Sequence, residues 1–298
     1  MPLFDLSARV KLRLTGSDRV RFLNGQVTND VRKANAKQSM PACVLSAKGK
    51  MDALIFIGAG EDHLLVDGDP ELKEGLAARL DRYLIADDVA IEDVTEDFAL
   101  FHVTGATAPI LPNDLAWRRS KRFGVEGWDL FVPMTEREHT WQFLAEKEPV
   151  CEAAEAERWR IEEGVPRWGL ELTHEIIPVE AHLEGDAIDY DKGCYIGQEV
   201  ISRMKMSGQT NKRLCGLVAL DGSALSSTMR LFPGASAGGA DPGRELGWIT
   251  SATRSNRLGK EVALGYVKRG ANEVGTLLTA RSSKGTSTEV KVVELPFR

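Results

Sequence analysis

Leu214-Cys215-Gly216-Leu217-Val218-Ala219-Leu220 is an apolar run with a glycine inside it, and five short runs follow: Met229 to Phe232, Glu245 to Ser251, Val262 to Val267, Thr276 to Ala280 and Thr288 to Val293. Each has strand length, several are joined by glycine turns, and none of the intervals has helical periodicity. Six short strands in about 85 residues with no helix among them predict a small barrel or sandwich. Ser236 to Gly243, rich in glycine and alanine, reads as its most flexible loop.

Upstream, strand and helix are mixed. Val10 to Leu14 alternates with Lys11 and Arg13, which predicts a half-buried strand. Ser17 or Asp18 caps a short helix whose inner side carries Val20, Phe22 and Leu23. Met40 to Leu45 and Asp52 to Ile57 are strands around the turn Ala47-Lys48-Gly49-Lys50, and His63 to Val66 is a third. Asp69-Pro70 opens a helix with Leu72, Leu76, Leu80 and Leu84 as its stripe. Val89 to Val94, Phe98 to Val103 and Gly127 to Val132 return to strand. Thr135 and Glu138 form a capping box for a helix carrying Trp141 and Leu144, and a second helix runs from Cys151 to about Glu163, stopped by Gly164 and Pro166. Helices placed irregularly among strands predict an α+β class, not a parallel doubly wound sheet. From Arg167 to Asp191 no periodicity holds, yet Trp168, Leu170, Leu172, Ile176, Ile177 and Val179 are too apolar for a linker. Such a stretch is expected to wrap a site or a seam.

With 298 residues, 43 % hydrophobic and 28 % charged, the chain can bury a large core and favours two or three domains. The longest stretch without a charged residue or histidine is Val103 to Asn113, short of the ~20 residues a membrane span needs. The start, Met1 to Leu14, lacks a signal peptide's apolar run, which points to the cytoplasm, or to the mitochondrial matrix for a processed form. Four cysteines (Cys43, Cys151, Cys194, Cys215) without close spacing and five histidines without an HxxxH pair predict no disulfide framework and no metal. Cys43, Cys151 and Cys215 fall in regular elements and are expected to be buried. Charge is uneven: residues 1–199 carry 23 Lys and Arg against 37 Asp and Glu, residues 200–298 carry 15 against 7. The basic third is able to meet a polyanion.

The densest chemistry is Asp191-Lys192-Gly193-Cys194-Tyr195-Ile196-Gly197-Gln198-Glu199. Two glycines bracket a thiol and a phenol, Gln198 and Glu199 fit a helix start, and Arg203, Lys205, Lys212 and Arg213 follow without an intervening acid. A thiol near a helix N-terminus and next to Lys192 is expected to gain thiolate character; the alternative is a small apolar residue in a tight turn.

Lys192 to Glu199 resembles the signature of the YgfZ family, folate-binding proteins tied to iron–sulfur enzyme maintenance and, in some members, to tRNA modification; the family in turn resembles the glycine cleavage T-protein, a tetrahydrofolate-dependent aminomethyltransferase. The likeness extends to Leu12–Val31, to Arg160–Leu172 with Pro178-Val179-Glu180 after it, to Ser207–Leu214, and to Gly247–Ser251 and Ala263–Val267. It implies a three-domain cloverleaf: an N-terminal folate-binding α+β portion (1–100), a second, ferredoxin-like α+β portion with the wrapped segment and the cysteine motif (101–200), and a linker with a C-terminal β-barrel (201–298), around a central channel for tetrahydrofolate. Glu162 matches the glutamate that holds the pterin, Trp168 would wall it, and Tyr195 and Gln198 would join them in binding. Cys194, Lys192 and Asp52 are the catalytic candidates. Where the T-protein carries two aspartates, this chain has Asp52 followed by Ala53, which argues against authentic aminomethyl transfer. His174 and His182 are minor candidates as bases.

Three functions follow as expectations. The first is a folate-binding accessory factor for assembly or repair of iron–sulfur proteins. The second is a tetrahydrofolate-dependent aminomethyltransferase or demethylase acting on a small amine. The third is a non-catalytic module that binds protein or tRNA, the latter through Arg203, Lys205, Lys212 and Arg213.

Overall fold

The computed structural model describes residues 1–234 and 243–298. The loop at 236–243, apart from Gly243, lies outside the described residues. In chain order the elements are β1 (Leu3–Asp5), β2 (Val10–Thr15), α1 (Arg19–Gln26), β3 (Met40–Leu45), β4 (Met51–Ala59), β5 (Leu64–Gly68), α2 (Leu76–Asp81), β6 (Ala90–Asp93), β7 (Phe98–Thr104), β8 (Arg118–Ser120), β9 (Gly127–Pro133) and α3 (Arg137–Ala145). There follow α4 (Ala153–Glu162), α5 (Gln198–Ser207) and six strands, β10 (Lys212–Ala219), β11 (Arg230–Pro233), β12 (Gly247–Arg254), β13 (Glu261–Lys268), β14 (Leu277–Arg281) and β15 (Ser287–Val293).

The chain divides into two compact units, each discontinuous: Met1–Glu152 with Leu183–Arg203, and Ala153–His182 with Met204–Arg298. The first holds a five-stranded sheet in the order β3-β4-β5-β2-β6 and a four-stranded sheet in the order β1-β7-β9-β8, both antiparallel. Although β1 opens the chain, it pairs with β7 (Phe4 opposite His102) and so belongs to the second sheet. One face of that sheet is apolar: Leu3, Phe101, Val103, Leu130 and Val132 pack with Leu144 of α3 and with Trp141.

Its other face sets Arg118, His102, Asp129 and Ser120 among Phe4, Leu100 and Phe131, and its polar groups meet those of the five-stranded sheet. The Lys11 and Arg13 alternation in β2 would put Lys11 in water if the strand were half-buried; instead Lys11 is fully buried. Its ammonium donates to the carbonyls of Ser7 at 2.8 Å and Arg9 at 2.9 Å. Arg122 donates from Nη1 and Nη2 to Asp67 at 2.8 and 2.6 Å, and from Nε to Asp129 Oδ1 at 2.8 Å. Its guanidinium lies 4.0 Å from the ring centre of Phe56, and Arg9 adds a 2.6 Å bond to Asp67. His102 Nδ1 contacts Asp129 Oδ1 at 2.8 Å. Alternation marks which residues share a face; it does not say whether that face meets water or another sheet.

The second unit contains a closed antiparallel barrel in the order β10-β13-β12-β11-β14-β15. Leu217, Leu231, Ile249, Ala263, Leu278 and Val290 are among the side chains in its interior. All six strands expected from the sequence are present, with ends shifted by a few residues. Helices diverge more. The stretch from Asp69 to Leu84 forms a 3₁₀ turn at Pro70–Leu72 and then a separate α2, with Gly75 at its N-cap; Leu84 lies beyond its end. The expected capping box at Thr135 does not form: Met134–Glu136 is a 3₁₀ turn, and Glu136 caps α3 without a side-chain bond. Cys151 precedes α4 and is partly exposed, whereas Cys43 and Cys215 are buried. The aperiodic stretch is irregular as expected, apart from a 3₁₀ turn at Pro178–Ala181.

Candidate functional site

Asp52, Lys192, Cys194, Tyr195 and Gln198 belong to the first unit; Glu162 and Trp168 belong to the second. In the first unit the segment from Asp186 to Gln198 is sewn onto α1 and the loop after it. Thr28 donates its hydroxyl to the Ala187 carbonyl at 2.6 Å, Asp189 N donates to the Thr28 carbonyl at 3.0 Å, and Ile196 N donates to the Gly25 carbonyl at 3.2 Å. Lys192 completes the seam. Its ammonium donates to the carbonyls of Asn24 (2.7 Å), Val27 (2.7 Å) and Asn29 (2.6 Å), at the end of α1 where helix carbonyls lack internal partners. Burial pushes Lys192 down to about 8, with Asp30 and Asp189 opposing. All three donors are therefore committed to backbone. The lysine expected to sit by the thiol holds the segment down instead.

Cys194 stands exposed on this anchored segment. Tyr195 is turned inward and 9 % exposed, its ring 5.2 Å from the Lys192 nitrogen, and burial raises its hydroxyl pKa. Gln198 starts α5, as the sequence predicts. The approach to α5 depends on two glycines with left-handed backbone: Gly197 (φ 84), where a Cβ would lie 2.7 Å from the Ser46 carbonyl oxygen, and Gly49 (φ 71), where it would lie 2.6 Å from Val200 Cβ. The β3–β4 turn and the start of α5 thus fit together only without side chains at these positions.

Asp52, on β4, pairs with Arg79 of α2, Nε to Oδ2 at 2.6 Å. Arg79 also donates to the Leu45 carbonyl at 2.6 Å and to Gln26 Oε1 at 3.3 Å, and lies 4.5 Å from the Tyr83 ring centre. One guanidinium thereby ties together α1, β3 and β4. Ala53, the neighbour of Asp52, is buried.

In the second unit Glu162 ends α4 and is 8 % exposed. Its Oε1 accepts from Ser255 Oγ at 2.5 Å and from Arg257 N at 3.2 Å, while Oε2 accepts from no described residue. Glu163 pairs with Arg257 at 2.5 Å. Trp168 is 8 % exposed and meets His174 edge-on at 5.3 Å between ring centres. His182 contacts the Leu214 carbonyl through Nε2 at 2.8 Å and has Arg213 beside its ring.

The same unit has a centre that sequence reading treated only as landmarks. Glu171, fully buried, accepts from Ser251 Oγ (2.6 Å), Arg160 Nη1 (3.1 Å) and Arg167 N (3.1 Å). Arg160 also pairs with Glu157 at 2.5 Å and donates to Ser251 Oγ at 2.7 Å. The 11-residue spacing of Arg160 and Glu171 across an aperiodic segment gives no local signal of this pairing. In the basic run, Arg203 pairs with Glu199 at 2.5 Å and Lys212 with Glu180 at 3.0 Å.

A family model described as the glycine cleavage T-protein C-terminal barrel domain matches residues 212–298. The crystal structure of glycine cleavage system aminomethyltransferase T from Bartonella henselae superposes with a TM-score of 0.85, covering 100 % of this chain and 86 % of that one at 17 % identity. The chain has the aminomethyltransferase-superfamily fold. Aminomethyltransferases of Shouchella clausii (strain KSM-K16) and Bacillus subtilis (strain 168) are 28 % and 26 % identical to it, over 99 % of this chain and 86 % and 87 % of theirs. A chloroplastic putative transferase of Arabidopsis thaliana is 24 % identical over 98 % of this chain and 70 % of its own length. Within this T-protein-like fold, no helix among the described residues is long and apolar enough to cross a membrane, and no group of three or more His, Cys, Asp or Glu among them is arranged to hold a metal.

Proposed function

We propose that this chain binds tetrahydrofolate and acts as a folate-dependent transferase or demethylase on a small amine. The observation that carries this reading is likeness to proteins named aminomethyltransferase over 99 % of the chain. Tetrahydrofolate would supply a carrier for the one-carbon unit. Glu162 suits its pterin: Ser255 and Arg257 fix one oxygen and leave Oε2 to accept from an amino or ring N–H in a shielded setting. Trp168 would exclude water beside it. Ala53 next to Asp52 leaves one carboxylate on that strand, which favours an amine other than a carrier-bound aminomethyl group.

Anaerobic calorimetry with tetrahydrofolate tests this. Wild type is expected to bind and Glu162→Gln to bind at least ~10-fold more weakly, since a hydrogen bond to a charged acceptor is worth about 1.5–3 kcal/mol; Cys194→Ala is expected to match wild type. Redox-neutral transfer of the methyl group of an N-methyl amine, giving the demethylated amine and 5-methyltetrahydrofolate, would then identify the substrate. No binding by folded wild type removes the proposal.

The exposed thiol of Cys194 on its anchored segment favours a second reading, an accessory factor for iron–sulfur proteins. It predicts that Cys194→Ala depresses the activity of a client enzyme in cells while folate binding is unchanged. For tRNA, the carboxylate partners of Arg203 and Lys212 reduce the charge the basic run presents.

A further inference from the structure

The polar seam between the two sheets of the first unit contains more hydrogen-bonding capacity than its own side chains satisfy. Arg118 Nη1, His102 Nε2, Asp129 Oδ2 and Ser120 Oγ are all buried without a partner. His102 and Asp129 are 0 % exposed and Ser120 4 %. Arg118, set over the ring of Phe131 at 5.2 Å, makes no hydrogen bond from its guanidinium to a described residue.

Strand register brings these groups together. Arg118 lies opposite Asp129 and Asp129 opposite His102, while Ser120 lies opposite Gly127 one step along the same face. Cross-strand neighbours have Cβ atoms about 4.5–5.5 Å apart. Two strand glycines make room for the group. A Cβ on Gly127 would lie 2.7 Å from His102 Nε2, and one on Gly58, in the facing sheet, 2.0 Å from Arg118 Nη1. Neither has a left-handed backbone, so both are there for space.

We propose that this seam is an internal binding site for water, held by Arg118, His102, Asp129 and Ser120 in the room left by Gly58 and Gly127. The chemistry of the four atoms selects the ligand. Arg118 offers a donor, Asp129 Oδ2 an acceptor, and Ser120 either. With the Nδ1 proton of His102 given to Asp129, Nε2 is a second acceptor. An anion would suit Arg118 but face the Asp129 carboxylate; a metal cation would suit Asp129 but face the guanidinium. A neutral molecule that both donates and accepts satisfies all of them, and buried water typically makes about 3 hydrogen bonds.

A high-resolution crystal structure of the wild-type chain is the first test. Ordered water within hydrogen-bond distance of Arg118 Nη1 and of Asp129 Oδ2 or His102 Nε2 is the expected result. A chloride or other ion there, or direct contact between Arg118 and Asp129 Oδ2 with no water, overturns the proposal. In solution, water-to-amide NOEs with the sign of long-lived water are expected at residues 102, 120 and 129 in wild type and are lost in Gly58→Ala, which displaces only the tip of Arg118. Their absence from wild type, or their persistence in a folded Gly58→Ala, overturns it as well.

Discussion

A lysine beside a cysteine in a glycine-rich turn invites a chemical reading, and burial against three carbonyls gives Lys192 a mechanical one. Lys192→Met keeps the bulk but leaves those carbonyls unserved, and is expected to cost about 2–4 kcal/mol in urea denaturation; a change under about 0.5 kcal/mol would mean the ammonium holds nothing. Charge adds a pH dependence. Burial brings Lys192 and Lys11 to about 8 from an ordinary 10.5. Between those values the unfolded chain holds more protons, so these two groups make stability rise with pH across that window. Cys43, pushed up to about 12 by burial, acts the other way above 9.0. Comparing wild type with Lys192→Met from about pH 7 to 9.5 isolates the lysine: the variant should gain less on going alkaline. Residue identity marked Lys192 as important but gave no sign of its anchoring bonds, because the carbonyls it serves lie more than 160 positions away.

Elements were legible where their pattern is local. The barrel strands could be read because apolar runs broken by glycine need no distant partner to declare themselves. The Asp69–Leu84 helix was misjudged for the opposite reason: leucines four apart satisfy one helix or two turns alike, and the break falls at Gly75. The β3–β4 turn and the start of α5 depend on each other in a way no single window reveals. Gly197's Cβ position is 3.2 Å from Gly49 Cα. Gly49→Ala and Gly197→Ala are each expected to lose about 2–3 kcal/mol, from left-handed backbone plus the close approach. The double variant should lose less than the sum, since either change already forces turn and helix apart. Additive losses in a thermodynamic cycle would show the two elements to be independent.

For the molecule as a whole, the least legible feature is the interleaving of the two units, because the segment that returns to the first one has no periodicity to betray its destination. The polar seam was hidden too, since Lys11, Asp67 and His102 look in sequence like residues of solvent-facing strands. Arg122→Met removes the cation shared by Asp67 and Asp129 and is expected to cost about 3–5 kcal/mol. Acid should act on the same place. Burial lowers His102 from its ordinary 6.5 against the pull of Asp129, so the unfolded chain takes up that proton first and stability falls as pH drops below 6.5. Burial opposes the charge of Asp129, but Arg122 and His102 override it and hold the carboxyl well below the usual 3.8, which adds a second loss below that pH. Denaturation midpoints should therefore decline from about pH 7 to 5.5, and less steeply in His102→Gln; equal slopes would clear His102 of the effect. The barrel has a different consequence. With β10 to β15 closed into a ring, the C-terminal strands offer no free edge to another molecule, whereas the first unit ends its sheets on β6 and on β1, β3 and β8, the last three each covered by one isolated bridge, to Val150, Val27 and Gln38. Intermolecular strand addition during refolding at high concentration should accordingly begin in the N-terminal half, with the barrel as the part of the chain that resists aggregation.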